Sequence, residues 1–307
     1  MVTCKNSFLM LFGGKKVLIV GLFPNTEKSN VNKVLKRTCE FLESHNVQIL
    51  IPRNIIKLID KSFKKYSVDI EEIKEKIDFA ITIGGDGTLL NAAHEIAPKE
   101  ILMCSINIGR IGFLTELELS NLEQGLEKII NGDYKIEERL MLTASVSRNR
   151  KVIYNAFALN DIVLAKGGLS RMIKLELYIN NEIAAKYPAD GLILATSTGS
   201  TGYSLSSGGP IVNPNLKVIV ITPICSHTLY TRSLIVSEEE KIKVKLQAPH
   251  SDIILTVDGQ NMYNLMPGDI VTIKKAPFRA KFIKVSDISY YENLRTKIRR
   301  RDIDVIF

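Results

Sequence analysis

The chain has 307 residues, 45% of them hydrophobic and 24% charged. That length suggests two domains, and the composition excludes a disordered chain, a collagen-like repeat and a coiled coil. The net charge of +8, from 41 basic and 33 acidic residues, is mild and suits an anionic substrate such as a nucleotide.

In chain order, Lys16 to Val20 reads as a buried strand. Val31, Val34, Leu35, Thr38, Phe41 and Leu42 follow at helical spacing, with Asn46 as the C-terminal cap. Val47 to Ile51 is a second strand, and the lysine-rich residues 52–76 are expected to hold one short helix. Phe79 to Ile83 is a strand running into Gly84-Gly85-Asp86-Gly87, after which a helix covers Thr88 to Ile96. Ile101 to Ile106 is another strand and Asn107 to Leu114 a glycine-rich turn. Ser120 and Glu123 are spaced as a capping box for a helix ending near Gly132. Strands alternating with helices predict an α/β domain with a parallel sheet over residues 1–135.

From about residue 136 the hydrophobic period becomes two. Leu175, Leu177 and Ile179 alternate with polar neighbours, as do Ile242, Val244 and Leu246. Asn180-Asn181, Asp258-Gly259 and Pro267-Gly268-Asp269 are turn signals. The pattern predicts a mostly-β domain over residues 136–285. Residues 286–307 form a last helix starting near Asp287, with Tyr291, Leu294 and Ile298 on one face, expected to return to the first domain. Its run Arg299-Arg300-Arg301 reads as a solvated helix face, and without an aromatic-basic stripe no nucleic-acid partner is expected.

The four cysteines, Cys4, Cys39, Cys104 and Cys225, are far apart and form no CxxC, which fits reduced thiols in a cytoplasmic protein rather than a disulfide framework or a zinc site. No segment approaches the roughly 20 apolar residues that span a bilayer, so no membrane association is expected. Residues 1–14 read as a tail before the first strand and not as a signal peptide.

Five segments carry polar chemistry. Gly84-Gly85-Asp86-Gly87-Thr88 joins a strand to a helix, where glycines permit close backbone approach and helix N–H groups favour phosphate. A carboxylate there repels phosphate unless it accepts a proton or serves a metal, so Asp86 is a candidate general base or indirect Mg2+ partner. Asp190 to Pro210 is a strand followed by glycine and hydroxyl residues, suited to ribose, phosphate or base edges. Asn160-Asp161 interrupts an apolar strand, as either a sugar-binding pair or a bulge. In Asn107 to Leu114, Phe113 is a candidate aromatic packing surface or a core residue. His227, in the segment Thr222 to Arg232, reads more simply as a structural histidine than as a functional one. GxxxxGK[ST], GxGxxG and GxSxG are all absent, which argues against a P-loop NTPase, an ordinary Rossmann dehydrogenase and an α/β-hydrolase.

Together these residues resemble the NAD kinase family, whose members use ATP or polyphosphate. GGDGT at 84–88, NxG…GF at 107–113, ND at 160–161, DGLI…TGSTGYSLSSGGPI at 190–211, PIC-HTL-R at 223–232 and D-Q at 258–260 occur in that family's order. The resemblance implies an N-terminal α/β domain, a β-sandwich-like C-terminal domain and a terminal segment returning to the first. It implies a phosphotransferase moving the γ-phosphoryl group of ATP to the 2′-hydroxyl of the adenosine ribose of NAD, giving NADP, with a divalent metal, Mg2+ being the expected one. It also implies a homodimer or homotetramer.

Carried over by position, Asp86 accepts the hydroxyl proton and Gly87 lines the same pocket. Asn160 and Asp161 hold the dinucleotide; many relatives have Glu at the second position, so Asp161 is one methylene shorter. Asp190 contacts NAD, across a subunit interface in some assemblies, while Thr201, Gly202, Tyr203, Ser204 and Ser206 line the adenosine half. Gly202 stands where the family commonly has Ala. Arg171 and Gln260 are further NAD-binding candidates, with Phe113 and His227 beyond them. A lipid kinase shares GGDGT but calls for a membrane-facing apolar patch, and a non-catalytic dinucleotide sensor would have no need of Asp86.

Overall fold

Parallel strands buried on both faces are near-continuous apolar runs, and the first part of the chain is built of them. The computed structural model describes residues 17–109, 112–168, 172–228, 231–247 and 252–304, with side chains as far as residue 297. The expected N-terminal tail, Arg171, and the side chains of Ile298 and Arg299 to Arg301 lie outside the described residues. Two compact units are formed, one from the described residues up to Glu138 together with those from Ala280 onward, the other from Arg139–Arg279.

In the first unit the strands are β1 (Ile19–Pro24), β2 (Gln48–Pro52), β3 (Ser67–Val68), β4 (Phe79–Gly84) and β5 (Leu102–Asn107). β1 pairs in parallel with β2 and β4, β2 with β3, and β4 with β5. Helices Val31–Ser44, Ile70–Lys76, Asp86–Ile96 and Leu122–Ile130 connect or follow them. One core combines Val20, Leu22, Ile49, Ile51, Ile81, Ile83 and Ile106 of the strands with Val34, Leu35, Leu42, Leu126 and Ile129 of the helices. The first helix ends on Asn46 at φ 57°, a left-handed residue of the type its sequence suggests.

Three local readings change. Residues 52–76 hold a short helix at Arg53–Ile56, a 3₁₀ segment at Lys61–Tyr66, β3 and the helix Ile70–Lys76, because Ile56, Phe63, Tyr66 and Ile73 are buried individually without a helical stripe. The helix after the glycine loop begins at Asp86, two residues before the expected Thr88, since an acidic residue is favoured in a first turn. Ser120 and Glu123 form no capping box: Asn121 is the N-cap residue, and Glu123 pairs instead with Arg37, which also donates to the Leu119 carbonyl at 2.9 Å.

The second unit is two antiparallel sheets around one core. Its strands are β6 (Lys135–Arg148), β7 (Lys151–Ala158), β8 (Asp161–Lys166), β9 (Ile173–Ile179), β10 (Glu182–Ala189), β11 (Gly191–Thr196), β12 (Val218–Ile224), β13 (Leu234–Ser237), β14 (Ile242–Gln247), β15 (Ile253–Val257), β16 (Asn261–Leu265) and β17 (Ile270–Lys284). The unit boundaries fall within β6 and β17. One sheet runs β13-β12-β11-β8-β15-β16; in the other, β9 lies between β10 and β14, and β14 pairs with β17. Leu164, Leu192, Leu194 and Leu255 of the first sheet meet Leu175, Leu177, Val244 and Val271 of the second, which is the sandwich the resemblance implies. Asn180 and Asn181 (φ 49° and 73°) and Asp258 and Gly259 (φ 51° and 66°) make the expected hairpin turns.

β17 carries the chain back to the first unit, where Lys281 and Phe282 pair in parallel with Leu102 and Met103 of β5. The last helix is Tyr290–Asp304 and belongs to that unit. Leu294 is half-buried on it, whereas Tyr291 is exposed. No helix among the described residues is long and apolar enough to cross a membrane.

Candidate active site

The C-terminal ends of parallel strands are where α/β sheets present ligands. β4 ends at Gly84, and Asp86 opens the next helix in a half-buried position. Its carboxylate accepts the backbone N–H of Phe113 at Oδ2 (2.6 Å) and of Leu114 at Oδ1 (3.0 Å). The loop after β5 therefore folds over the helix start, and it does so at close range. A Cβ on Gly112 would stand 1.9 Å from Asp86 Oδ1, so only glycine fits there. Asn107 shapes the loop by accepting the Gly109 N–H at 3.0 Å, and Ser105 donates to the Leu114 carbonyl at 3.1 Å. Phe113 is half-buried with the Lys297 ammonium 4.3 Å from its ring centroid. Gly87 is exposed beside Asp86 in the first turn. Each carboxylate oxygen of Asp86 takes one of these N–H bonds and retains a second lone pair that can accept a proton.

In the second unit, register brings three strand ends together: Asp161 at the start of β8 lies opposite Ala195 of β11, and Ile162 lies opposite Val257 of β15. Just past β15, the Asp258 carboxylate accepts three successive backbone N–H groups, from Leu159 (2.8 Å), Asn160 (2.8 Å) and Asp161 (2.9 Å). Thr196 closes the other side, with its N–H on the Asn160 carbonyl (2.8 Å) and its hydroxyl on the Leu159 carbonyl (2.6 Å). A Cβ on Gly199 would stand 2.0 Å from the Asn160 carbonyl oxygen, so the Gly-Ser-Thr segment approaches this turn as only glycine allows. The Asn160-Asp161 step is thus gripped by partners from β11, β15 and the loop after β11.

Asp161 is 6% exposed beside Asp258 at 8%. Burial, with the Asp258 charge adding to it, pushes the Asp161 carboxyl up to about 7.

Gly202 lies against the same step, since a Cβ there would be 3.6 Å from Asp161 Oδ2 and 3.9 Å from Asn160 Nδ2. Thr201 is buried, with its hydroxyl on the Thr198 carbonyl at 3.3 Å, and Arg139 donates to the Thr198 hydroxyl at 3.3 Å. Tyr203 and Ser206 are exposed on the short helix Tyr203–Ser206. Ser204 on the same helix is fully buried, its hydroxyl joined to Thr222 (3.0 Å), which in turn meets Ser233 (3.1 Å). Gln260 is half-buried in the Asp258-Gly259 hairpin, with its N–H on the Val257 carbonyl.

Asp190 is placed elsewhere. Gly191 pairs with Ala165, at the end of β8 opposite to Asp161. Asp190 forms an ion pair with Lys166 at 2.9 Å, and the exposed His227 sits near it through a backbone bond to the Pro188 carbonyl. Asn160, Asp161, Thr201 and Gly202 are therefore gathered around one turn, while Asp190 and His227 are gathered at the far end of the β8–β11 pair. Asp258, Thr196 and Lys166 were not among the sequence-derived site residues. Asp258 shows in the sequence as a hairpin turn and as part of the D-Q pair of the resemblance, but nothing local marks its carboxylate as the partner of a step some hundred residues earlier.

Among the described residues, no three His, Cys, Asp or Glu side chains stand together as a metal cage. Both Asp86 oxygens are engaged by backbone N–H groups. Mg2+ binds mostly through substrate phosphates with few protein ligands.

Two family models match the chain: the ATP-NAD kinase N-terminal domain over residues 20–134 and the ATP-NAD kinase C-terminal domain over residues 159–285. The chain is 43% identical over 280 residues to an NAD kinase of Moorella thermoacetica, covering 91% of this chain and 89% of that one. It is 40% identical over 279 residues to an NAD kinase of Natranaerobius thermophilus, covering 91% and 97%. Among solved structures, the Archaeoglobus fulgidus NAD kinase in complex with ATP superimposes with a TM-score of 0.73 at 27% identity, covering 92% of this chain and 99% of that one. Yeast NADH kinase complexed with NADH gives a TM-score of 0.84 at 23% identity, covering 91% and 86%, a likeness of fold. With both family models matched across most of its length and relatives of this identity, the chain belongs to the NAD kinase family.

Proposed function

We propose that the enzyme transfers the γ-phosphoryl group of ATP to the 2′-hydroxyl of the adenosine ribose of NAD, with Asp86 as the proton acceptor. The observation that carries this reading is the half-buried Asp86 carboxylate at a helix start, fixed by the Phe113 and Leu114 N–H groups. In the step, the ribose O–H bond breaks and its proton passes to Asp86, the oxygen bonds to the γ-phosphorus, and ADP leaves. Phosphoryl transfer depends mainly on positioning and charge stabilisation. A fixed base adds about 10²–10⁴ in rate, and ATP brings its Mg2+ with it.

Asn160, Asp161, Thr201, Gly202, Tyr203, Ser206 and Gln260 are assigned to holding the dinucleotide, and Ser204 to supporting them from within through Thr222. Asp190 stands at the opposite end of β11 from Thr196, about 20 Å away at ~3.3 Å per residue. That separation supports a second copy of the chain, in a homodimer or homotetramer, as the one whose dinucleotide Asp190 meets. Cys39, Cys104 and Cys225 are free thiols, which favours a cytoplasmic enzyme.

The test is to incubate the enzyme with NAD, ATP and Mg2+ and to read the product with an NADP-specific dehydrogenase, which accepts only the 2′-phosphorylated dinucleotide. NADP is expected at one per ADP released. No NADP from ATP or polyphosphate, with either NAD or NADH, would overturn the reading.

A further inference from the structure

The loop that fastens Asp86 is itself held by the C-terminal segment at two points. Glu116, whose side chain is 3% exposed, accepts the Val285 N–H at 2.8 Å and the Ser286 N–H at 2.7 Å, and also pairs with the Lys284 ammonium. Lys297, on the helix Tyr290–Asp304, is 4% exposed and stands with Nζ 4.3 Å from the centroid of the Phe113 ring. Phe113 and Leu114, the two residues whose N–H groups hold Asp86, lie just before Glu116, and the Phe113 ring faces the Lys297 ammonium.

A long cationic side chain is rarely buried without a charge-specific task, because removal of an ammonium from water is costly. The negative face of an aromatic ring attracts such a cation, more strongly when both are desolvated. A methionine has similar length and could fill the same space, so packing alone does not call for an ammonium. The cation adds an electrostatic attraction to one face of the Phe113 ring, stronger than the contact a thioether makes there once both groups are desolvated. Both Asp86 hydrogen bonds depend on the orientation of the Phe113 peptide and the next.

We propose that Lys297 is a positioning residue for phosphoryl transfer: it clasps the Phe113 ring and thereby fixes the two backbone N–H groups that aim the Asp86 carboxylate. The proposal rests on the reading of Asp86 as proton acceptor. It gives the last helix a part in the chemistry by way of the Phe113 ring.

Steady-state kinetics on full-length variants test it. Lys297→Met is expected to lower kcat about tenfold, with KM for NAD within about twofold of wild type. Lys297→Arg keeps a cation able to stack on the ring and is expected to recover most of that loss. In the Asp86→Asn background, Lys297→Met is expected to have no further effect, because the group it positions is gone. Should Lys297→Met fail to fold, Phe113→Leu removes the ring from the other side and is expected to give the same fall in kcat. Unchanged kcat in Lys297→Met, equal losses in the Met and Arg variants, or a full additional loss in the Asp86→Asn background would each overturn the proposal. Near-normal turnover in Asp86→Asn alone would overturn the Asp86 reading and the proposal with it. An inactive Asp86→Asn beside an unimpaired Lys297→Met would overturn the proposal only.

Discussion

Asp86 in the first unit and Asp258 in the second are held by the same device, a carboxylate clasped by consecutive backbone N–H groups of a neighbouring loop. Asp86 takes two, from Phe113 and Leu114, and stays half-buried with lone pairs to spare. Asp258 takes three, from Leu159, Asn160 and Asp161, and is 8% exposed. The difference in exposure fits the two tasks proposed for them. A carboxylate that must exchange a proton with a substrate has to remain reachable, whereas one that only shapes a turn is best buried and saturated. Asp258 also acts on its neighbour, since its charge adds to the burial that raises Asp161.

Substitutions should separate the two sites along this line. Asp86→Asn is expected to lower kcat at least ~100-fold, since general-base catalysis alone is worth about 10²–10⁴, and to cost about 1 kcal/mol of stability, because Asn has one acceptor oxygen for the two N–H groups. Asp258→Ala is expected to do the reverse, leaving buried N–H groups unpaired and costing about 3 kcal/mol of stability in denaturant unfolding. A large fall in kcat for Asp258→Ala with no change in stability would erase the distinction. Gly112→Ala forces a methyl group to 1.9 Å from Asp86 Oδ1. It is expected to lower kcat about tenfold through displacement of the carboxylate, with little change in KM for NAD.

The smallest effect concerns pH. The Asp161 carboxyl is raised from 3.8 to about 7, so above the unfolded value the folded chain keeps a proton that the unfolded chain has released. Stability therefore falls as pH rises from about 4 to about 7 and stays lowered above that. Asp161→Asn removes this penalty. Its melting temperature is expected to match wild type near pH 4 and to exceed it by on the order of 5 °C at pH 8. A constant difference across that range would show that Asp161 is ionised throughout.

Much of this division was legible in the sequence. The change of period near residue 136 marks the passage from buried parallel strands to half-buried antiparallel ones, and Gly84 to Thr88 announces a strand–helix junction with an acid at its head. What escaped the sequence is what depends on distant partners. Residues 52–76 are ordered by the separate burial of Phe63, Tyr66 and Ile73, which leaves no helical stripe to detect. Glu123 has the spacing of a capping box, but Arg37 competes for its carboxylate. Asp258 and Lys297 acquire their roles only when β15 pairs with β8 and when the last helix meets the loop after β5. Asp258 stands out only through the D-Q pair of the resemblance, which does not name its partner, and Lys297 reads as an ordinary helix lysine.

If proton acceptance resides in Asp86 and dinucleotide binding in other residues, one pair of measurements on Asp86→Asn separates them: NAD affinity by titration calorimetry, and NADP formation by single-turnover kinetics on the same sample. NAD affinity is expected to stay within about threefold of wild type while phosphoryl transfer becomes at least ~100-fold slower. A near-normal rate, or affinity lost in step with the rate, would contradict that separation.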